Sequence, residues 1–159
     1  MYLCNIVSFL LIIFIFIIGH KTDILNPLIR KMKVTLFMNR KFPELDGNEK
    51  LKSSELKIFI LYWALPLLLD ILPIDSWYLL CQYVFSVRIL YEPIQSQSQI
   101  TVANDLINSY VRLSSKIYGG EVADYTVHAH LHLPNQVLAH GPLHCHSQFV
   151  FEVKICKFY

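Results

Sequence analysis

Histidines are the residues of this chain best suited to chemistry, and six of the seven fall in one stretch, 128–146. Imidazole nitrogens bind transition metals and exchange protons near neutral pH. A His-x-His pair on a strand or a His-x3-His pair on a helix would direct two ring nitrogens at one zinc ion about 2.0 to 2.1 Å away. Cys145 or His144 could complete the tetrahedron. The candidate ligands are His128, His130, His132 and His144.

The surroundings of this block favour an interpretation without metal. The chain has no Cys-x-x-Cys pair, and no acidic residue lies between Asp124 and Glu152. Carboxylates that orient metal-bound imidazoles would therefore have to come from elsewhere. We expect the histidines to be partly structural and partly solvated, with no cofactor. A histidine-based zinc-binding module is the alternative.

Nucleophilic catalysis has weaker support in the sequence. Cys145 and Ser147 lie beside histidines, but there is no strained Gly-x-Ser-x-Gly turn and no separate acid to position a base. The Gly119-Gly120 pair lacks the Lys-Ser/Thr that ends a phosphate-binding loop. We therefore predict that the chain is not an enzyme.

Three successive segments have apolar side chains three and four residues apart, which is the spacing of one helix face. The first starts near Ser53 and meets Pro66, which should kink or end the helix. Asp75 can cap the second, and Gly119-Gly120 can end the third. The positions expected to be apolar and inward are Leu56, Phe59, Ile60, Trp63 and Leu67, then Trp77, Leu80, Cys81, Val84, Val87 and Tyr91, then Ala103, Leu106, Ile107, Tyr110, Leu113 and Ile117. The apolar face of each helix must be shielded from water by the other helices. The pattern therefore predicts a mainly α fold, an antiparallel helical bundle.

The histidine block allows two local structures. As a strand, it would place His128, His130 and His132 on one face. As a helix, it would place His128 and His132 one turn apart. In either case Pro134 is expected to limit the element to its N-terminal side.

The first nineteen residues, 1–19, are almost wholly apolar and predict an N-terminal apolar helix. At about 1.5 Å per residue, residues 2–18 come close to a bilayer core of about 30 Å. If they span a membrane, the basic residues that follow leave the C-terminal body in the cytoplasm. Alternatively Met1 is a mis-assigned start, and the protein is intracellular without an anchor.

The chain is expected to continue with a basic linker, 20–52, and a helical domain, 53–159. The formal net charge of +2 is too small to indicate a nucleic-acid partner. The four cysteines form no Cys-x-x-Cys pair, and reduced thiols in an intracellular protein fit them better than a disulfide framework.

Two blocks of the sequence resemble a known family. Residues 52–68 and the following Ile71-Leu72-Pro73 resemble its Lys-Ala-Ser-Glu-x-x-x-Phe-Leu-x-x-x-x-Pro-x-Leu…Leu-Pro segment. The second block resembles its His-x3-His-Leu…Val…Gly-Pro-Leu…Ser-x-Phe-x-Phe-Glu signature. The matching residues there are His128, His132-Leu133, Val137, Gly141-Pro142-Leu143, Ser147, Phe149, Phe151 and Glu152. The family is the transposase-like proteins of the CACTA (En/Spm-like) group, and the resemblance covers about residues 50–153.

The resemblance implies the C-terminal part of a larger, truncated polypeptide with an RNase-H-like, metal-dependent nuclease core. Glu152 is the one position that matches a catalytic acid in that scheme. A single carboxylate cannot hold two metal ions about 3.5 to 4 Å apart, so the resemblance implies an inactive fragment. Pro134, Asn135 and His144 depart from the family pattern.

The leading hypothesis is therefore a transposon-derived helical domain without a complete active site and without catalysis of its own. One alternative is a small single-pass membrane protein, anchored by residues 2–18, whose cytoplasmic helical domain binds a protein partner. The other is the zinc-binding module.

Overall fold

The computed structural model describes residues 22–31, 53–93, 96–118 and 125–146, and they are mainly helical, with no strand among them. The mainly α prediction is therefore confirmed for these residues. The helices are α1 (Thr22–Lys31), α2 (Ser53–Ile58), α3 (Ala64–Leu68), α4 (Ile74–Tyr91), α5 (Gln97–Tyr118), α6 (Tyr125–Ala129) and α7 (Leu133–His140). A π-helical segment, Phe59–Trp63, joins α2 to α3, and two 3-10 segments, His130–His132 and Leu143–His146, flank α7.

The first predicted helix continues past Pro66, but it contains a wider turn. The backbone N–H of Ala64 donates to the carbonyl of Phe59, five residues earlier. Pro66 has no N–H to donate to a helical hydrogen bond. The π turn that precedes Pro66 contains one residue more than an α-helical turn. This extra residue rotates the buried face, so Trp63 and Leu67 are only half-buried. Leu61, Ala64 and Leu68 are buried in their place.

Helix α4 is buried around most of its circumference. Its inward residues are Leu79, Leu80, Cys81, Gln82, Tyr83, Val84, Ser86, Val87 and Leu90. The helix begins at Ile74, and Pro73 with an extended ψ of 145° stands at the cap. The predicted Asp75 cap is therefore wrong: Asp75 lies in the first turn, where its charge favours the N-terminal end of the helix dipole.

Helix α5 packs along α4. The Gln82 side chain donates to the Ser109 hydroxyl at 3.0 Å, and the rings of Tyr83 and Tyr110 have centroids 5.0 Å apart. The predicted stripe is buried in its middle, but Ile117 is exposed and Ser114 is buried. Ser114 tolerates burial because its hydroxyl donates to the Val111 carbonyl at 2.9 Å.

Helix α1 lies inside the segment predicted to be a linker. Leu25 and Ile29, one helical turn apart, are buried in the common core, whereas Pro27 is exposed. Ten residues of the expected linker, 22–31, are thus helical and contribute to the core. Their short apolar pattern is interrupted by a proline, as in many linkers, although one face of α1 is covered by the core.

The histidine block is helical, so the strand alternative is wrong. Helix α6, the 3-10 segment His130–His132 and α7 follow one another without a break. The expected stop at Pro134 is also wrong, because this residue lies in the first turn of α7. The missing N–H of a proline costs nothing there, since the first N–H groups of a helix have no partner within it.

Several predicted features lie outside the described residues: the apolar segment 1–19, the Gly119-Gly120 helix end, Ser147 and Glu152. Among the helices that are described, none is long and apolar enough to cross a membrane.

Candidate functional site

His130 belongs to the core. It is 1% exposed, and its ring meets the ring of Tyr83 edge-on, with centroids 5.4 Å apart. Tyr83 also packs on Tyr110, so the three residues form a buried ring cluster between α4, α5 and the 3-10 segment. Burial raises the pKa of the Tyr83 hydroxyl above its ordinary range. The Tyr83 hydroxyl therefore keeps its proton, and the three rings form part of the core.

His128 and His132 are the candidate ligands that the structure brings together. Both side chains are exposed, and their ring centroids lie 5.3 Å apart with the ring planes at 78°. Two imidazoles on one tetrahedral zinc have centroids roughly 5 Å apart when each nitrogen lies about 2.0 Å from the ion. The spacing is therefore that of a two-ligand site on one helix face.

His144 lies elsewhere, at the C-terminal end of α4. Its Nδ1 is 3.0 Å from the Tyr91 carbonyl oxygen, and its ring packs on the Tyr91 ring with centroids 5.8 Å apart. Its Nε2 is 3.3 Å from the Sγ of exposed Cys145. The Lys57 ammonium donates to the Tyr91 hydroxyl at 3.1 Å and so helps to hold that ring.

The four candidate zinc ligands thus occupy three places: the core, the outer face of the histidine block and the end of α4. Within the residues described, no group of three or more His, Cys, Asp or Glu side chains converges on a point. Sequence reasoning found Cys145 beside a histidine but missed the group that positions the imidazole. That group is a main-chain carbonyl, which no side-chain motif reveals.

Helix α4 also carries an exposed apolar surface. Ile74, Tyr78 and Phe85 are 72%, 56% and 48% exposed. At about 100° per residue they lie within about 40° of one another around the helix, so they form a single line, here called the α4 stripe. Cys81 falls in the same sector but is buried, and burial raises the pKa of its thiol.

Charged side chains flank both ends of the α4 stripe. Asp70 and Asp75 are exposed at the N-terminal end. Arg88 lies near the other end, with its guanidinium 5.3 Å from the centre of the Tyr62 ring, and Lys57 contacts Tyr91 there. Exposed Glu92, the C-cap residue of α4, lies at the same end, so the surface is acidic at one end, of mixed charge at the other and apolar between.

No family model, no curated protein and no solved structure matches this chain.

Proposed function

We propose that this chain is a non-catalytic helical domain of transposase-like ancestry that associates with a second copy of itself through the α4 stripe. The observation that carries the proposal is the exposure of three large apolar side chains in one line. Fully buried aromatic side chains remove 150–250 Å² each from water, so the half-exposed Tyr78 and Phe85 alone leave roughly 200 Å² to be covered. The alignment of these side chains on one helix face, and not their area alone, is what supports an interaction site here.

We infer that α4, which carries this surface, and α5 run antiparallel. Only residues 92–96 connect the two helices, and Gln82 of α4 contacts Ser109 of α5. Five residues span at most about 18 Å. A parallel pair would need the connection to run back along the whole of α4, about 27 Å at 1.5 Å per residue. The short connection therefore supports an antiparallel hairpin.

The α4 stripe is self-complementary when two copies of α4 meet in opposite directions. A two-fold axis midway between Tyr78 and Phe85 places each of these rings opposite the other in the second copy. The same axis brings Asp75 of one copy near Arg88 of the other. A parallel pair would instead set Asp75 against Asp75, which costs energy. The antiparallel arrangement is the one that both apolar contact and charge favour.

The area involved predicts a weak dimer. A standard specific interface buries about 800 Å² per partner, and the α4 stripe with its rim supplies less. We expect a dissociation constant on the order of 10 µM.

Sedimentation equilibrium at roughly 100 µM protein tests the proposal. At a dissociation constant on the order of 10 µM, the wild-type chain should have a weight-average mass about 1.8 times that of the monomer. Phe85→Glu should be monomeric, because a carboxylate in the centre of the interface loses its water. Leu138→Glu, at an exposed apolar position on α7, is the matched control and should remain dimeric. A wild-type chain that is monomeric at this concentration contradicts self-association.

A photo-crosslinking amino acid at position 78 identifies other occupants in cells. A product of twice the chain mass supports the proposal. A product that contains a different protein, together with a monomeric purified chain, overturns self-association in favour of a hetero-partner. A crosslinker at position 138 gives the background.

The distance between His128 and His132 supports zinc binding as a second candidate function. Micromolar zinc should raise the melting temperature of the wild-type chain and of His140→Ala but not of His132→Ala, since His140 is exposed outside the pair. No shift in the wild-type chain contradicts this candidate.

A further inference from the structure

We propose that Cys145 is a reactive thiol whose attack on disulfides is assisted by His144. The pair lies at the end of α4, apart from the α4 stripe, and the inference does not depend on self-association. It concerns a stoichiometric modification of the chain and not a catalytic turnover.

The carbonyl of Tyr91 determines which ring nitrogen of His144 carries the proton. A carbonyl oxygen only accepts hydrogen bonds, so the Nδ1–H of His144 donates to it over the 3.0 Å separation. In a neutral imidazole the other nitrogen, Nε2, then has a free lone pair. That nitrogen is the one 3.3 Å from Cys145 Sγ, so the thiol S–H donates to it.

The Tyr91 carbonyl is available because of its place in the fold. Tyr91 is the last residue of α4, and the last four carbonyls of a helix have no partner within the helix. His144 supplies a donor to one of them from the 3-10 segment Leu143–His146.

Two further contacts hold the base in place. The His144 ring packs on the Tyr91 ring, and Lys57 donates to the hydroxyl of that tyrosine. The three groups therefore form a chain of contacts. Cys145 is the nucleophile, His144 beside it is the base, and the Tyr91 carbonyl orients that base. This is the arrangement by which proteins activate a weak nucleophile.

The reaction is thiol–disulfide exchange. His144 Nε2 takes the proton from Cys145 Sγ, and the thiolate attacks one sulfur of a small disulfide. A new S–S bond forms at Cys145, the S–S bond of the reagent breaks, and its leaving thiolate takes the proton from the imidazolium. Cys145 is oxidised to a mixed disulfide, and the reagent is reduced to one thiol. Excess small thiol reverses the change.

Cys81 provides an internal reference. It is buried on α4, and burial raises the pKa of its thiol, so it reacts slowly while the chain is folded. Cys145 is exposed. The difference between the two rates reports on the fold and on the site in one experiment.

The test measures the rate of mixed-disulfide formation with oxidised glutathione at pH 7, by peptide mass spectrometry. It uses the full chain with Cys4→Ser and Cys156→Ser. His144→Gln should slow reaction at Cys145 about tenfold or more, because glutamine can still donate to the Tyr91 carbonyl but cannot accept the proton. His140→Gln, an exposed control, should leave the rate unchanged.

Unchanged slow labelling of Cys81 in His144→Gln shows that the variant is folded. An equal rate at Cys145 in His144→Gln and in the parent overturns the proposal, as does a parent in which Cys81 reacts as fast as Cys145. The same measurement in Phe85→Glu separates this inference from self-association, since the rate at Cys145 should not change when the dimer is lost.

Discussion

Tyr83 buries a hydroxyl that has no hydrogen-bond partner among the described residues. Leaving such a group unsatisfied costs about 1–3 kcal/mol. We predict that Tyr83→Phe increases the free energy of unfolding by about 1 kcal/mol, measured by urea denaturation, because the ring contacts with Tyr110 and His130 remain. Tyr78→Phe, at an exposed tyrosine, should change it by less than about 0.5 kcal/mol. A clear loss of stability in Tyr83→Phe would show that the Tyr83 hydroxyl has a hydrogen-bond partner in solution.

The same hydroxyl predicts a pH dependence. Burial raises the pKa of Tyr83 in the folded chain, whereas in the unfolded chain it titrates near its ordinary value of about 10. The unfolded state therefore loses its proton first as the pH rises. Stability is unaffected below pH of about 10 and falls above it, by at most about 1.4 kcal/mol per pH unit from this group. Urea denaturation from pH 9 to 11 should show a steeper loss for the wild-type chain than for Tyr83→Phe; parallel curves would refute the prediction.

The histidines show how far residue-level prediction reaches. The helical spacing correctly puts His128 and His132 one turn apart. It also implies that His130, two residues from either, points away from them, but not that it enters the core against Tyr83. That contact depends on which helix covers the block. The Tyr91 carbonyl beside His144 depends on tertiary packing in the same way.

At the scale of elements, α1 gives the clearest test. Leu25 is fully buried, and its neighbour Ile24 is 53% exposed. We predict that Leu25→Ala lowers the free energy of unfolding by about 2–5 kcal/mol, because it leaves a cavity in the core. Ile24→Ala should change it by about 0.5 kcal/mol or less. Equal small effects in chemical denaturation would show that α1 does not belong to the core in solution.

The helices of the described region were largely predictable, and their details were not. Apolar periodicity identified the helices around Phe59, Val84 and Ile107, because burial of one face dominates helix formation in proteins. It missed the start at Ile74, since Asp75 is as favourable within the first turn as at the cap. It also missed α1, whose two buried residues are too few to distinguish from a linker.

At the scale of the whole molecule, the direction of pairing can be tested by disulfide trapping. In a Cys4→Ser, Cys81→Ser, Cys145→Ser and Cys156→Ser background, single Tyr78→Cys and Phe85→Cys chains are mixed and oxidised. An antiparallel dimer predicts that the crosslinked heterodimer forms at least several times faster than either homodimer. The reason is that position 78 of one copy faces position 85 of the other, and neither position faces itself. Preferential homodimers, resolved by mass on a non-reducing gel, would indicate parallel pairing.

The π-helical segment Phe59–Trp63 has a consequence for comparing this chain with others. A π turn arises when one residue is added inside an α-helix whose two ends remain fixed by their packing. A homologue with a regular helix here would be one residue shorter between Phe59 and Pro66. An alignment that forbids gaps within helices would then shift one flank of this helix by a position, about 100° around its axis. The single gap belongs inside the helix and not in the loops at its ends.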